Sequence, residues 1–237
     1  MIRLETERLV IRDPLPSDIG GWHGLLSDAK AMVYLPDIMT RSLAESRRNL
    51  EEAIREAHGP RRTKYFFVLE HGATGAFVGS AGYTVTEETP LGKFAHAGYF
   101  MRPEYHGQGL MTEAMREILR FAFEDGGVYR IGTGCLAENR ASERVMQKCG
   151  MIKEAEHISH TWHDGRAKDR VEYRLLRDEW RGSDPAGTLD AVMCVVDLVK
   201  RDSEIKLLLG CTEEEKALVY QTHNEKDMMK GIMVRRS

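Results

Sequence analysis

The chain has 237 residues, of which 42% are hydrophobic and 30% charged, and its formal net charge at pH 7 is −3. This length allows one generous domain, or one ordinary domain with an appendage. The nearly balanced charges argue against the large basic face of nucleic-acid-binding proteins. No apolar run reaches the roughly 18–20 residues that span a bilayer, and the charged opening MIRLETERLVIRD has no apolar signal core. We therefore expect a cytoplasmic protein with neither nucleic-acid nor membrane partners.

The first part of the chain predicts strands and two helices. Alternating apolar and polar residues, rich in β-branched and aromatic types, indicate strands. These predicted strands are 7–13, 64–70, 76–86 and 93–102. Ser17 is of a residue type that often begins helices, so we expect a short helix after it. The segment 42–58 is typical of an amphipathic helix, and Gly59 follows its end.

The second part alternates helices with strands. Helical spacing of apolar residues predicts helices over 110–124 and 139–150, and Asn139 is the expected N-cap of the latter. Further strands are predicted at 128–136, 151–162 and 168–176. Strands that first meander and then alternate with helices indicate a mixed α/β sheet.

The composition changes at RGSDPAGT, residues 181–188, which is the best candidate for a linker. Beyond it, apolar residues at helical spacing predict mainly two helices within 189–230. We therefore divide the chain into a main domain, 1–181, and a linker with a helical extension, 182–237. The sequence assigns no role to this extension.

Two glycines stand at the predicted start of the 110–124 helix, in the segment RPEYHGQGLMTEA. Glycines there let a ligand approach the backbone, and the free N–H groups of a helix start attract phosphate. A P-loop needs lysine and a hydroxyl residue where Leu110 and Met111 stand, and a Rossmann fingerprint needs a third glycine where Thr112 stands. A coenzyme A site and a purely structural turn remain as interpretations of Gly107 and Gly109.

A longer stretch carries a family resemblance. The segment AHAGYFMRPEYHGQGLMTEAM, then a strand, then ENRASERVMQKCGM resemble the GNAT superfamily of acetyl-coenzyme A-dependent N-acetyltransferases. The opening ETERLVIRDPLPSD is similar to the start of the branch that contains the ribosomal-protein N-terminal acetyltransferases. The resemblance covers about residues 5–180 and does not extend to 189–237. It implies the α/β acyl-CoA N-acyltransferase fold, a mixed, mostly antiparallel central sheet flanked by helices, here followed by a C-terminal helical extension.

The resemblance also implies a binding site for acetyl-CoA as co-substrate. The family's pyrophosphate loop, Q/R-x-x-G-x-G/A, corresponds to E-Y-H-G-Q-G at 104–109, where Glu104 replaces the usual glutamine or arginine. The backbone at the end of the preceding strand would pair with the pantetheine arm, and the N–H near Met101 would polarise the thioester carbonyl. The residues that the resemblance assigns to acetyl-CoA binding are Phe100, Met101, Arg102, His106, Gly107, Gln108, Gly109, Leu110, Met111, Thr112, Asn139 and Ser142.

Acetyl transfer to an amine has its own requirements. The amine attacks only as a neutral base, whereas lysine-like amines have a pKa of about 10.4 and α-amines about 7.7–8.0, so a group or a water must remove a proton. His96 stands where the branch commonly carries a carboxylate, and an imidazole accepts a proton at neutral pH. We predict His96 as the catalytic base, the alternatives being proton removal by water and a merely polar strand residue. Ser142 is the candidate acid for the departing thiolate, a simple ligand contact being its alternative.

Three functions follow from these interpretations. The first is an enzyme that transfers acetyl from acetyl-CoA to a primary amine, on a protein N-terminus or a small molecule, by direct attack in a ternary complex. The second is a non-catalytic acyl-CoA-binding sensor or scaffold, because His96 departs from the family's usual base and the predicted C-terminal helices are unexplained. The third is a role for the apolar stripe of 189–199 in forming a homodimer.

Three histidines form an H-x-x-H-x-x-H pattern that invites comparison with metal sites. They are His157 and His160, within the predicted strand 151–162, and His163, which directly follows it. Because side chains alternate along a strand, His160 is expected to face away from the other two. A zinc site needs convergent ligands, so we expect no metal.

Overall fold

The computed structural model describes residues 1–182. The helices predicted in 189–230, and the predicted linker from 183 onward, lie outside the described residues. Residues Met1–Arg177 form one compact unit. Its strands are β1 (Arg3–Glu5), β2 (Leu9–Arg12), β3 (Lys64–His71), β4 (Phe77–Thr89), β5 (Gly92–Met101), β6 (Val128–Leu136), β7 (Ile152–His163) and β8 (Arg166–Leu176). The helices are α1 (Ile19–Leu26), α2 (Leu43–His58), α3 (Leu110–Glu124), α4 (Arg140–Lys148) and α5 (Arg177–Gly182).

The strands form one sheet in the order β1-β2-β3-β4-β5-β6-β8-β7. Among the described residues, all neighbouring strands pair antiparallel except β5 and β6, which are parallel. The predicted mixed, mostly antiparallel sheet flanked by helices is therefore confirmed. Within the described part of the chain, no helix combines the length and the apolar character needed to cross a bilayer.

The parallel strands β5 and β6 part halfway along their length. Their pairing runs from Lys93 opposite Val128 to His96 opposite Gly132. Beyond this point β5 stays paired with β4 and β6 stays paired with β8. The residues Ala97–Met101 and Thr133–Leu136 therefore border a gap in the middle of the sheet, which we call the wedge. At its narrow end the Thr133 hydroxyl donates to the Ala97 carbonyl at 3.0 Å.

Helices cover both faces of the sheet. Helix α3 has a broad apolar face, which it buries, and Phe121 of this helix meets Phe67 of β3 edge to face. The next residue of β3, Val68, belongs instead to the core cluster of α1 and α2, which also includes Trp22 and Leu50. Because consecutive side chains of a strand point to opposite faces, α3 lies on one face of the sheet and α1 and α2 lie on the other.

The N-cap predictions had different outcomes. Asn139 accepts from Ser142 N at the start of α4, as the sequence predicts, and Ser42, for which no cap was predicted, accepts from Glu45 N at the start of α2. Ser17 as a helix N-cap is wrong, because it lies within the 3-10 turn Pro16–Asp18 and α1 begins after it. The side chain of Asp18 accepts instead from the Leu15 amide at 2.7 Å and fixes that turn.

Candidate active site

A loop between β5 and α3 stands at the open end of the wedge. Gly107 and Gly109 have φ angles of +74° and +79°, in the left-handed region that favours glycine. A Cβ on Gly107 would meet nothing within 4 Å, so the space above it is open. The first bond back into α3 runs from Glu113 N to Gly109 O, which leaves the earlier N–H groups of the helix directed outward. This arrangement attracts an anion.

Side chains hold this loop in shape. His106 Nε2 donates to the Met101 carbonyl at 3.1 Å, and Gln108 Nε2 donates to the Glu104 carbonyl at 2.9 Å. The side chains of both residues therefore bond to the protein's own backbone, while their amides belong to the loop. Glu104, which departs from the family pattern, pairs with Arg102 at 2.7 Å.

The opening segment of the chain clamps the same loop, a contact that the sequence did not reveal. Glu113 of α3 accepts from the Thr6 hydroxyl at 2.6 Å, from Arg8 N at 2.9 Å and from Arg8 Nε at 2.7 Å. Arg8 Nη1 donates onward to the Gln108 carbonyl at 3.0 Å. Burial alone would raise the pKa of Glu113, but the bonds from Thr6 and Arg8 outweigh it and lower that pKa below its usual 4.5.

Backbone groups of β5 point into the wedge at every second residue. The Arg102 amide donates to the Val78 carbonyl of β4 at 2.9 Å, whereas the Ala97 carbonyl accepts from Thr133 on the β6 side. Because these directions alternate along a strand, Tyr99 and Met101 also turn their N–H and C=O groups toward β6. The Met101 amide therefore opens into the wedge, and the backbone groups of Phe100 and Arg102 turn to β4.

His96 lies at the narrow end of the wedge, on the sheet face that carries α1 and α2. This assignment follows because Phe100, on the same side of β5, packs against the core of those helices. His96 is exposed, yet the protein around its ring lowers its pKa below 6.5 by desolvation. The negative charge of Glu172 raises the pKa and Arg170 lowers it, both to a smaller extent. The imidazole is thus neutral at pH 7 and able to accept a proton.

Ser142 lies on the opposite face, in a hydrogen-bonded pair with Tyr99. The Tyr99 hydroxyl donates to the Ser142 carbonyl at 3.0 Å, and the two hydroxyl oxygens are 2.9 Å apart. Burial raises the pKa of Tyr99, so this phenol keeps its proton. Tyr99 was not among the residues predicted for the site, although its position three residues after His96 already placed it on the other face of the strand.

The histidine pattern on β7 behaves differently from the prediction. The rings of His157 and His160 are 4.8 Å apart, so the expectation that they face opposite ways is wrong. The strand is irregular between His157 and Thr161, and Ser159 has a φ of +49°, which turns His160 back toward His157. Among the described residues, no group of three or more His, Cys, Asp or Glu side chains could hold a metal ion.

Comparison with known proteins agrees with this geometry. A sheet that parts between two parallel strands, beside a glycine loop at a helix start, defines the GNAT class of fold. The family model described as Acetyltransferase (GNAT) domain matches residues 8–152, and the chain belongs to this family. Family membership makes it an N-acetyltransferase, an enzyme of the acyltransferase class.

Individual relatives differ in how much of their length the chain matches. YdaF of Bacillus subtilis, whose name describes a ribosomal N-acetyltransferase, is 31% identical over 88 residues, which are 37% of this chain and 48% of the relative. YnaD of the same organism, an N-acetyltransferase by name, is 25% identical over 76% of this chain and 99% of the relative. The crystal structure of spermidine N-acetyltransferase from Vibrio cholerae, in complex with CoA and spermine, has a TM-score of 0.63 at 20% identity, over 74% of this chain and 99% of that one. The chain thus spans about half the length of the first relative and nearly all of the second and of the solved structure.

Proposed function

We propose that this protein transfers an acetyl group from acetyl-CoA to a primary amine, on a protein N-terminus or a small molecule, by direct attack in a ternary complex. The observation that carries the proposal is the wedge, with the backbone amides of Tyr99 and Met101 turned into it and the glycine loop at its end. The Vibrio cholerae relative, whose structure contains CoA, supports the choice of donor. The names of the relatives, ribosomal and spermidine acetyltransferases, support an amine acceptor.

The residues of the loop fit a coenzyme A pyrophosphate. Open space above Gly107 leaves room for phosphate oxygens, and the left-handed φ angles of Gly107 and Gly109 turn the chain so that the amides of α3 face that space. In our proposal the amides of Gly107 to Thr112 bind the phosphates, and the β6-facing edge of β5 binds the pantetheine arm. Bound acetyl-CoA supplies the activated acetyl group. Phosphate binding at a helix start needs no basic side chain, so the absence of a lysine between 103 and 112 is no obstacle.

The remaining groups divide the chemistry between the two faces of the sheet. His96 accepts a proton from the acceptor amine on one face. The Met101 amide, which opens into the wedge, donates to the carbonyl oxygen as negative charge develops on it. Tyr99 and its partner Ser142 of α4 lie on the other face, where the thiol end of the pantetheine would lie. The Ser142 hydroxyl is already paired with Tyr99, so an acidic role would involve this pair rather than Ser142 alone.

The proposal is tested by the release of free thiol from acetyl-CoA in the presence of a panel of peptides, polyamines and amino acids. We expect release with at least one acceptor and none without acceptor beyond the background. Binding of acetyl-CoA without release across the panel would favour the alternative, a non-catalytic acyl-CoA sensor or scaffold. Within the described residues, the observation behind that alternative is the histidine where the family branch commonly carries a carboxylate.

A substitution in the loop tests where the donor binds. Gly107→Val places a branched side chain in the open space and demands a φ that β-branched residues avoid. We expect the Kd for acetyl-CoA, measured by calorimetry, to rise at least tenfold. Gly165→Val is the matched control, because Gly165 has a similar φ of +72° and open space in a distant hairpin turn. Equal Kd values for both variants would remove the loop from the binding site.

A further inference from the structure

Two glycines of β6 leave a strip of the sheet without side chains. Gly132 lies opposite His96 of β5, and Gly134 lies opposite Glu172 of β8. A Cβ on Gly132 would lie 4.0 Å from His96 Cδ2, and a Cβ on Gly134 would overlap the carboxylate of Glu172, with Cδ at 2.6 Å. The imidazole and the carboxylate therefore approach the same strip from opposite sides, on one face of the sheet.

The two side chains lie beside different glycines of β6, so they are offset along the strand. Gly132 and Gly134 are two residues apart, which is about 6.6–6.8 Å along a strand. The strip runs toward the wedge, because β5 and β6 part just after His96 and Gly132. An amine that enters the wedge from this face would therefore meet His96 on one side and Glu172 on the other.

The charged side chains beside this strip come from β8, and they are Glu172, Arg170 and Arg174, the last of which lies opposite Gly132. Glu172 accepts from Arg170 Nε through Oε1 at 2.5 Å, whereas Oε2 is the oxygen that lies over Gly134. From β8, Glu172 and Arg170 are the charged groups that act on His96. The residues paired with His96 on the neighbouring strands are Thr84 of β4 and Gly132 of β6, and neither side chain titrates. Glu172 is thus the anionic group beside the predicted base.

We propose that Glu172 binds the ammonium group of the acceptor and holds it against His96. This inference rests on the proposed function and names the residue that selects the protonated amine from solution. One nitrogen proton passes to His96 and from there to solvent, and the nitrogen lone pair forms the bond to the acetyl carbon. The C–S bond then breaks with its electron pair on sulfur. The nitrogen loses its second proton, and the thiolate takes up one.

The test is Glu172→Gln, which keeps the shape of the side chain and a hydrogen bond to Arg170. Loss of one charge-assisted hydrogen bond in a partly exposed site should raise KM for the amine about tenfold with little change in kcat. The Kd for acetyl-CoA should stay unchanged, because the pyrophosphate loop is untouched. Glu154→Gln is the matched control, an exposed ion-paired glutamate on β7, and its kinetics should match those of the wild type.

A second readout does not need turnover. The pKa of His96, followed by NMR titration of its ring, should fall in Glu172→Gln and stay unchanged in Glu154→Gln, because Glu172 raises this pKa. Unchanged KM together with an unchanged His96 titration would overturn the role of Glu172. Absence of thiol release by the wild type with every amine would instead overturn the proposed function, and the titration would still decide whether the two side chains interact.

Discussion

The clamp between the opening segment and α3 gives the sharpest stability prediction. Glu113→Ala removes the acceptor of three hydrogen bonds, from Thr6 Oγ1, Arg8 N and Arg8 Nε. Hydrogen bonds to a charged group contribute about 1.5–3 kcal/mol each when protected from solvent. The side chain of Arg8 is 41% exposed, and such partners contribute less. We therefore expect the free energy of unfolding to fall by about 3 kcal/mol.

The same helix offers a closely matched control. The side chain of Glu117 is 19% exposed against 18% for Glu113, and its partner Arg120 is 38% exposed. Arg120 lies only three residues away and also bonds to Glu124 at 2.9 Å, so Glu117→Ala should cost less than about 1 kcal/mol. Urea unfolding followed by circular dichroism measures both changes. If both variants lose the same free energy of unfolding, the clamp is refuted. The bonds of Glu113 to Thr6 and Arg8 would then add nothing beyond the local ion pair that Glu117 makes.

Three further predictions concern Glu113, His96 and Tyr99. Glu113→Gln should be less stable than the wild type at pH 7. This difference in stability should disappear as the pH falls through the lowered pKa of Glu113, below 4.5. A difference that is unchanged at pH 3 in urea titrations would contradict this. His96→Ala should lower kcat/KM about 100-fold at pH 7 and abolish the acidic limb of the pH–rate profile without changing the Kd for acetyl-CoA; an unaltered profile would remove His96 from the mechanism. Tyr99→Phe should lower the free energy of unfolding by about 1–2 kcal/mol, because Ser142 loses its partner; a urea midpoint equal to that of the wild type would contradict this.

Much of the fold could be predicted from periodicity and local signals. The helix 110–124 and the strand 128–136 agree with α3 and β6 at both ends, because glycines mark both ends of the helix and the start of the strand. The strand β1 was missed, since it has only three residues, Arg3–Glu5, and a partly exposed pattern. Ser17 was misassigned because the turn is fixed by Asp18, which also binds Arg12 at 2.8 Å, and no local pattern reveals that partner.

Some residues of the site could likewise be recognised from a local sequence pattern, whereas others are brought together only by the fold. Gly107 and Gly109 were found because a helix start after two glycines is a local pattern. The clamp by Arg8 on Gln108 joins residues 100 positions apart, and Glu172 reaches the strip beside His96 only through the strand order β5-β6-β8. The irregularity of β7 at Ser159 could not be predicted from the sequence for another reason. A positive φ at a non-glycine residue has no strong local signature.

The roles proposed for β5 depend on one register. His96 faces the acceptor side, Tyr99 faces α4, and the amide of Met101 faces the wedge, because side chains and backbone groups both alternate along a strand. A slip of one residue against β4 would exchange all three directions at once. Close approach opposes such a slip, since a Cβ on Gly79 of β4 would overlap the Phe100 carbonyl and lie 2.7 Å from Met101 Cα. The glycine that lets β4 and β5 approach so closely thus helps to hold β5 in the one register in which base, amide and phenol serve the same wedge.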